Sequence, residues 1–563
     1  MSLRDACIGA VALLPAYIIP NKHTTWYKVP VTLIVAYNAA LFVLSWSITS
    51  LLRHTINHES SARRTSIRAS VTRELASLDG QATRSPNSSN GDWERVSNDS
   101  EKSGEVAPLS KEGYDGFIGF FHPFAFVGFD HKNAGGGGER VLWAAIQATQ
   151  NRWPKAICVV YTGDHQSDKT QILKRVKTRF DIDLYSPTIS FLYLNSRAWV
   201  VAGSYPRFTL LLQSLGSINV AYEALSLLKP DIFIDTMGYS FSTWFCKFLF
   251  PEISIGSYVH YPFIGTHMVD SLASGGGKGV NAGKGKGLRG LGKKVYWHCL
   301  LRLYKWTGTS IDIVMTNSTW TQNHMQRIWG PGRAQGRKPP AQVVYPPCSV
   351  EEIIDQTPLE GQHALPREKL LLCIAQFRPE KNHELLIESF AQMTRGTDSG
   401  LKDARLILVG SVRDSEDETL VYKLRLLAKE LKLENQIEFR INTDWGEILE
   451  WLKRSWVGVN GMWCEHFGIG VVEYQAAGLI SVVNDSGGPK EDIVVDLDGG
   501  PTGYHASTAT EYASRFVEAL TLSPESTQAM RKRARSSSKR FTTDVFSARW
   551  TQQLEQLIAQ SKH

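Results

Sequence analysis

Cys464-Glu465-His466-Phe467-Gly468-Ile469-Gly470-Val471-Val472-Glu473-Tyr474-Gln475-Ala476-Ala477-Gly478 holds two carboxylates eight positions apart, joined by small and apolar residues. The glycines before Val471 predict a tight turn and Val471 to Ala477 a buried helix, so Glu465 lies on the approach and Glu473 one turn inside. Both acids then point toward the helix start. Free N–H groups and the positive end of the helix dipole gather there, which suits a diphosphate, and carboxylates accept from the hydroxyls of a sugar and a ribose. The segment reads as a grip for a nucleotide-sugar. A plainer reading is a surface acid at a helix start and a second, solvated one, because acids are common at such positions.

Outward from this segment, apolar strand-like runs alternate with amphipathic helices. The first series is Phe117 to His122, Ala156 to Thr162, Ile189 to Leu194, Asp231 to Asp235, Ser254 to His260 and Asp312 to Thr316. The second is Leu370 to Gln376, Ala404 to Gly410, Gln436 to Arg440, Trp456 to Asn460 and Leu479 to Asn484. Each series predicts a parallel sheet between helices, so the expectation is an α/β protein of two Rossmann-like, doubly wound lobes at residues 113–350 and 351–540. Residues 348–368 carry Pro, acids and little periodicity and read as the hinge. Closing helices are expected at 508–521, 524–537 and 541–560, the last within a C-terminal segment 541–563.

A chain of 563 residues is too long for one core. With 42% hydrophobic and 21% charged residues it is globular in composition, and a net charge of +7 gathered in particular stretches does not point to nucleic acid. Seven cysteines (Cys7, Cys158, Cys246, Cys299, Cys348, Cys373, Cys464) are scattered, without a C-x-x-C pair or a His cluster at metal spacing, and read as buried thiols in a reducing compartment. No hydrolase-like carboxylate dyad, Gly-x-Ser-x-Gly elbow or Asp-x-Asp motif after a strand is present, so metal-free transfer is expected. Sequons at Asn87, Asn98, Asn317 and Asn484 read as accidental, the last two falling in folded core.

Three further stretches follow strands. Asn133 to Trp143 contains Gly135, Gly136, Gly137 and Gly138 and opens the first helix, where glycines let a ligand approach the backbone or simply make a turn. It fails the G-x-G-x-x-G fingerprint, because Arg140 and Val141 stand where the last glycine would, and this weakens a dehydrogenase reading. Arg378-Pro379-Glu380-Lys381-Asn382 puts two cations at a strand-to-helix turn, where they can neutralise a leaving diphosphate. Tyr258-Val259-His260-Tyr261-Pro262-Phe263 ends a strand at the carboxyl edge, and His260 faces the expected cleft; Asn317 and Ser318 line it from the next strand.

The amino-terminal end is different. Residues 29–52 carry no charge and match the roughly 20 apolar residues of a bilayer span, with Trp26 and Tyr27 before them and Arg53, Arg63, Arg64 and Arg68 after them. Residues 1–52 therefore read as a membrane anchor region with the remainder cytosolic. Ala6 to Pro20 is short and broken by Pro15 and Pro20, which leaves a cleaved signal, a re-entrant piece or an interfacial helix open, with an uncleaved anchor preferred. Residues 53–112, rich in Ser, Arg, Asn and Glu, read as a disordered tether. The basic, glycine-rich insertion 274–294 reads as a linker in solvent or as a contact for anionic headgroups. Phe241 to Phe250 reads as a core helix or a membrane-resting face.

Glu-x7-Glu with Phe-Gly inside it resembles the signature of the retaining glycosyltransferases of family 4, which have the GT-B fold; the likeness covers about residues 115–560. The resemblance implies that Glu465 contacts donor-sugar hydroxyls and Glu473 the ribose. It implies that N–H groups around Phe467, Gly468 and Ile469 face sugar and phosphate, that Gly137 and Gly138 lie near donor phosphate and acceptor, and that Arg378 and Lys381 bind the donor pyrophosphate. It places His260 beside the donor sugar, making His260 and Glu465 the catalytic pair. Within the family, the three motifs together with an N-terminal anchor are most similar to the mannosyltransferases of dolichol-linked oligosaccharide assembly. That implies GDP-mannose as donor, no metal or cofactor, and a dolichyl-diphosphate-linked acceptor. It further implies α-1,2 transfer, with retention, of the fourth and fifth mannoses at the cytosolic face of the endoplasmic-reticulum membrane, alongside other mannosyltransferases of the same assembly. A different donor or linkage on the same fold, or a non-catalytic scaffold subunit, are the alternatives.

Overall fold

The structure is a computed structural model that describes residues 31–82, 113–123, 137–265, 287–360, 366–396 and 401–561. The first apolar series forms β1 (Phe117–Phe121), β2 (Ile157–Thr162), β3 (Ile189–Tyr193), β4 (Ile232–Asp235), β5 (Ser254–Val259), β6 (Ile313–Thr316) and β7 (Gln342–Val343). These strands pair in parallel in the order β3-β2-β1-β4-β5-β6-β7. Every residue of β1, β2, β4, β5 and β6 is buried, as expected for strands with helices on both faces. The second series forms β8 (Leu370–Ile374), β9 (Arg405–Gly410), β10 (Ile437–Ile441), β11 (Val457–Asn460) and β12 (Ile480–Asn484), followed by a small hairpin, β13 (Asp496–Leu497) and β14 (Gly500–Pro501), and by β15 (Gly503–Ala506). Its six-stranded parallel sheet runs β10-β9-β8-β11-β12-β15. Strand order reverses between β1 and β4 in one lobe and between β8 and β11 in the other, and ligands of doubly wound sheets sit outside the carboxyl ends at such points.

The helices are α1 (Val31–Ala82); α2 (Gly137–Arg152), α3 (Lys169–Phe180), α4 (Thr209–Leu227), α5 (Ser240–Leu249), α6 (Gly287–Thr307) and α7 (Thr319–Gln335) around the first sheet; and α8 (Val350–Gln356), α9 (His383–Gly396), α10 (Ser415–Glu430), α11 (Trp445–Arg454), α12 (Ile469–Ala477), α13 (Ala509–Thr521) and α14 (Pro524–Ser538) around the second. The last, α15 (Thr543–Ser561), returns to the first lobe. Trp550 stacks on Phe120 at 6.2 Å, its Nε1 donates to Thr149 Oγ1 at 3.1 Å, and a Cβ on Gly256 would meet Leu557 at 2.9 Å.

Three expectations change. The tether assigned to 53–112 is wrong for 53–82, which continue α1 as one 52-residue helix; residues 83–112 lie outside the described residues. The composition of 53–82 is polar, but one stripe of it docks. Ile56 and Ser60 are buried, Leu52, Ile67 and Val71 pack on the first core, and Arg64 reaches both Asp231 oxygens at 3.0 Å with its guanidinium over Phe117. The hinge assigned to 348–368 contains α8, and Cys348, Val350 and Ile353 belong to the second lobe's core. The insertion assigned to 274–294 ends early: residues 266–286 lie outside the described residues, but α6 has begun by Gly287.

Phe241 to Phe250 falls mainly in a helix that packs on the core, as the first of its two readings expects. In α5, Phe241, Cys246 and Leu249 face the core, while Trp244 turns outward to stack on Phe248 at 5.5 Å and to meet Trp306 at 4.8 Å. Asn317 and Asn484 are buried, in keeping with accidental sequons. The six described cysteines are free thiols. Among the described residues, no helix is long and apolar enough to cross a membrane; residues 1–30 lie outside them.

Candidate functional site between the lobes

In the second lobe the decisive segment folds as a turn and a helix, two residues earlier than the periodicity predicts. Gly468 caps α12 at φ 105°, a left-handed conformation that costs glycine little, and Gly478 closes the helix at φ 75°. The helix lies close on β11: a Cβ on Gly458 would collide with the Tyr474 ring, whose hydroxyl accepts from Ile374 N–H at 2.6 Å. That contact fixes the start of α12 over the ends of β8 and β11. Phe467 turns its ring into the core, against Tyr345 and Phe541, so only its backbone is available to a ligand.

Lys381 Nζ lies 2.6 Å from Glu465 Oε2, joining two of the expected site residues across 84 positions. Burial pushes the Glu465 carboxyl up, but the Lys381 ammonium outweighs it and holds the carboxyl below its ordinary range. The Glu465 carbonyl also accepts from Gly488 N–H at 2.8 Å, which fixes its backbone. Glu473 is buried inside α12 and pushed up to about 7 by that burial, opposed by the charge of Arg140 from the first lobe. Arg378 sits one turn before Lys381 with its Nε unpartnered; burial lowers its guanidinium, and Arg413 adds to the effect.

The first lobe answers across the cleft. A Cβ on Gly137 would crowd Ile469 Cδ1 at 2.8 Å, and one on Gly138 would sit at ordinary contact distance, 3.5 Å, from His260 Nε2, so the start of α2 lies close to both β5's end and α12. Residues 133–136 of the same glycine run lie outside the described residues. His260 bonds to the Thr236 backbone, and burial holds its ring down to about 4, so it is neutral at pH 7. Its Nε2 is buried without a hydrogen-bond partner. Asn317 Nδ2 donates to the His260 carbonyl at 2.9 Å, placing Asn317 at this edge as expected. Beneath lie His122, whose Nδ1 is 3.0 Å from Thr236 Oγ1, and Asp235, pushed up to about 7 by burial.

Lys381 and Glu465 from the second lobe, with Gly137, Gly138 and His260 from the first, thus flank the start of α12 at Ile469. Other residues here carried no recognisable pattern in the sequence. His466 sits between two first-lobe rings, 4.0 Å from Tyr261 and 5.5 Å from Trp320. Asp492 accepts from Thr319 N–H and from the Tyr345 hydroxyl, both at 2.9 Å. A histidine beside an acid and an acid after a Pro-Lys run have no spacing that marks a lobe contact. Among the described residues, no group of three or more His, Cys, Asp or Glu is arranged to hold a metal. The site therefore offers cations, helix N–H groups, two carboxylates and a neutral imidazole: groups able to hold a diphosphate and hydroxyls and to stabilise a departing anion.

Comparison with known proteins gives the family. A family model described as "ALG11 mannosyltransferase N-terminus" matches residues 115–329, and one described as "Glycosyl transferases group 1" matches residues 355–537. The GDP-Man:Man(3)GlcNAc(2)-PP-Dol alpha-1,2-mannosyltransferase of Neurospora crassa is 55% identical over 457 residues, covering 79% of this chain and 81% of its own. The protein of the same name from Homo sapiens is 39% identical over 463 residues, covering 81% and 90%. Among solved structures, the sucrose-phosphate synthase of Thermosynechococcus elongatus aligns with a TM-score of 0.56 at 16% identity, over 79% of this chain and 99% of that one, a likeness of the two-lobed GT-B fold alone. The chain belongs to the family of the GDP-Man:Man(3)GlcNAc(2)-PP-Dol alpha-1,2-mannosyltransferases.

Proposed function

We propose that this protein transfers mannose from GDP-mannose to a dolichyl-diphosphate-linked oligosaccharide, with retention and in α-1,2 linkage, adding the fourth and fifth mannoses. The observation that carries the reading is the Glu465–Lys381 pair at the mouth of α12 with Glu473 one turn inside, opposed by Gly137, Gly138 and His260. The names of the relatives supply donor, acceptor and linkage. Lys381, Arg378 and the N–H groups around Phe467, Gly468 and Ile469 hold the diphosphate and stabilise it as it leaves. Glu465 accepts from mannose hydroxyls, Glu473 from the ribose, and His260 Nε2 takes a hydrogen bond from the sugar. The bond from mannose C1 to the β-phosphate oxygen breaks, the acceptor oxygen bonds to C1 on the same face, and its proton passes to the departing phosphate. No metal enters this scheme, because the cations that neutralise the leaving group come from the chain.

The apolar start of α1 serves as the anchor in the endoplasmic-reticulum membrane, with both lobes cytosolic. Leu41, Val43, Leu44, Trp46, Ile48 and Leu51 are all exposed, and residues 40–52 bear no charge, so lipid is the solvent that suits them. The test is transfer from radiolabelled GDP-mannose to lipid-linked acceptors of defined mannose number. Product gains of two mannoses on an acceptor carrying three are expected; label transferred equally from UDP-sugars, or none on that acceptor, rejects the reading.

A further inference from the structure

We propose that Arg197 binds the diphosphate of the lipid-linked acceptor, at a subsite on the first lobe separate from the grip of Lys381 and Arg378 on the donor. The inference rests on the proposed function, from which it takes the acceptor's chemistry. Arg197 lies in the short 3-10 turn Asn195–Val200 that follows β3, so it stands at the carboxyl edge of the first sheet, as His260 does after β5. Its side chain does not stay over β3. It crosses inward past the ends of β2 and β1: a Cβ on Gly163, just after β2, would collide with Arg197 Cδ and lie 2.6 Å from the Pro123 carbonyl, two residues after β1. Glycine at 163 is what leaves room for the crossing.

The backbone that carries Arg197 is held before any ligand arrives. Glu223 of α4 accepts from Asn195 N–H at 2.8 Å, from Asn195 Nδ2 at 3.1 Å and from Ser196 N–H at 2.9 Å, and also from the Ser196 hydroxyl. On the far side of Arg197, Gln213 Nε2 of α4 donates to the Val200 carbonyl and the Tyr205 hydroxyl to the Trp199 carbonyl, both at 2.9 Å. Gly216 admits the Trp199 carbonyl against α4, where a Cβ would collide with it. The guanidinium at the end of this mount has no partner among the described residues, and its Nε is buried without a hydrogen bond. Neighbouring acids are engaged elsewhere: Asp164, beside Gly163, pairs with Arg175 at 3.4 Å and accepts from Gln166 N–H at 3.2 Å, while Glu223 is filled by the two residues before Arg197. A rigidly mounted cation with open bonding capacity is suited to a ligand that brings the acceptors with it.

Chemistry selects that ligand. The sugars of the acceptor are neutral, and its diphosphate is its only anionic group. A guanidinium offers paired N–H donors that match phosphate oxygens, and its bonds to an anion are stronger than those to neutral hydroxyls. Position separates this diphosphate from the donor's. In the order β2-β1-β4-β5, the ends of β2 and β5 are three strand spacings apart, about 14 Å. One diphosphate cannot bridge that gap, whereas an oligosaccharide can, with its terminal mannose beside His260 and its diphosphate at Arg197.

The experiment uses the full chain in neutral detergent, with GDP-mannose and two acceptors that carry the same three-mannose oligosaccharide, one on phytanyl diphosphate and one on an uncharged phytanyl ether. Arg197→Met is expected to raise the KM for the diphosphate acceptor at least tenfold, with the KM values for donor and uncharged acceptor unchanged, and Arg197→Lys to recover part of the loss. Equal KM values for wild type and Arg197→Met on the diphosphate acceptor overturn the proposal. So does a rise of the same size on both acceptors, which would mark a structural role. Binding of fluorescent phytanyl diphosphate, without sugar or donor, reads the subsite independently of transfer: wild type should bind it at least tenfold more tightly than Arg197→Met, and equal affinity counts against the assignment. Displacement of this probe by phosphatidic acid at equal concentration would assign Arg197 to lipid headgroups and overturn it as well. Absence of transfer by the wild type to either acceptor would sink the proposed function, whereas the binding measurement decides on Arg197 either way.

Discussion

Glu473 is a buried carboxylate and Glu465 a partly buried one, with opposite electrostatics, and the difference is experimentally accessible. Burial raises Glu473 to about 7, so it loses its proton between pH 6 and 8 and becomes a better acceptor for ribose hydroxyls. The donor KM is expected to fall across that range, and Glu473→Gln to flatten the profile and raise the donor KM about tenfold at pH 8. Initial rates against GDP-mannose concentration check this; a flat wild-type profile refutes the assignment. The sign for stability is the reverse. A carboxyl whose folded pKa lies above its unfolded one destabilises the fold as pH rises from the ordinary carboxylate range through about 7, so Glu473→Gln should stabilise by on the order of 2 kcal/mol at pH 8 and by nothing at pH 4. Glu465 is held low by Lys381, and that contribution is present above the ordinary carboxylate range and lost as pH falls below it. Lys381→Met strands a buried charge and should cost about 3 kcal/mol near pH 7, measured by denaturant unfolding. Adding Glu465→Gln should restore stability without restoring transfer.

At the scale of elements, α15 follows the second lobe in the chain but completes the first. Trp550 is fully buried between Phe120 and Phe546, and its indole N–H is satisfied by Thr149. Trp550→Ala is expected to cost about 3–5 kcal/mol through the lost ring and the cavity left behind, and to unfold the first lobe before the second. Hydrogen exchange resolved along the chain checks the order; earlier loss of protection in β8–β12 would contradict it. The same logic accounts for α1. Its polar composition suggests a chain without a core, yet Ile56, Ser60 and Arg64 each find a buried or charged partner on the first lobe.

Across the whole molecule, the lobes meet through a few side chains adjacent in sequence to site residues. His466 follows Glu465, Tyr261 follows His260, and their rings lie 4.0 Å apart, so stacking across the cleft holds the two expected catalytic residues in register. His466→Ala should lower kcat about tenfold or more while changing the donor KM little, because alignment is lost and not binding. His466→Phe should recover most of the rate if the ring acts by stacking; failure of Phe to rescue would point to a polar role instead. Asp492, held by Thr319 and Tyr345, forms a second tie at the same interface.

Much of this was legible along the chain, because hydrophobic periodicity is local. Eleven strand positions, the last three helices to within about two residues, and the turn-plus-helix of residues 464–478 follow from which residues must be buried and where glycine is needed. The short β7, β13, β14 and β15 lacked enough apolar residues to announce themselves. The motif residues at 137–138, 260, 378–381 and 465–473 were each found at a strand end, where a doubly wound sheet exposes its ligand edge. What only the tertiary structure decided is which of them meet. The Lys381–Glu465 pair, the approach of Gly137 to Ile469 and of Gly138 to His260, the ring contacts of His466, the docking of α1 and the return of α15 all join residues tens to hundreds of positions apart. Local pattern specifies which face of an element must be covered; only the packed chain specifies by what, because one apolar surface is chemically as good as another until shape and charge choose between them.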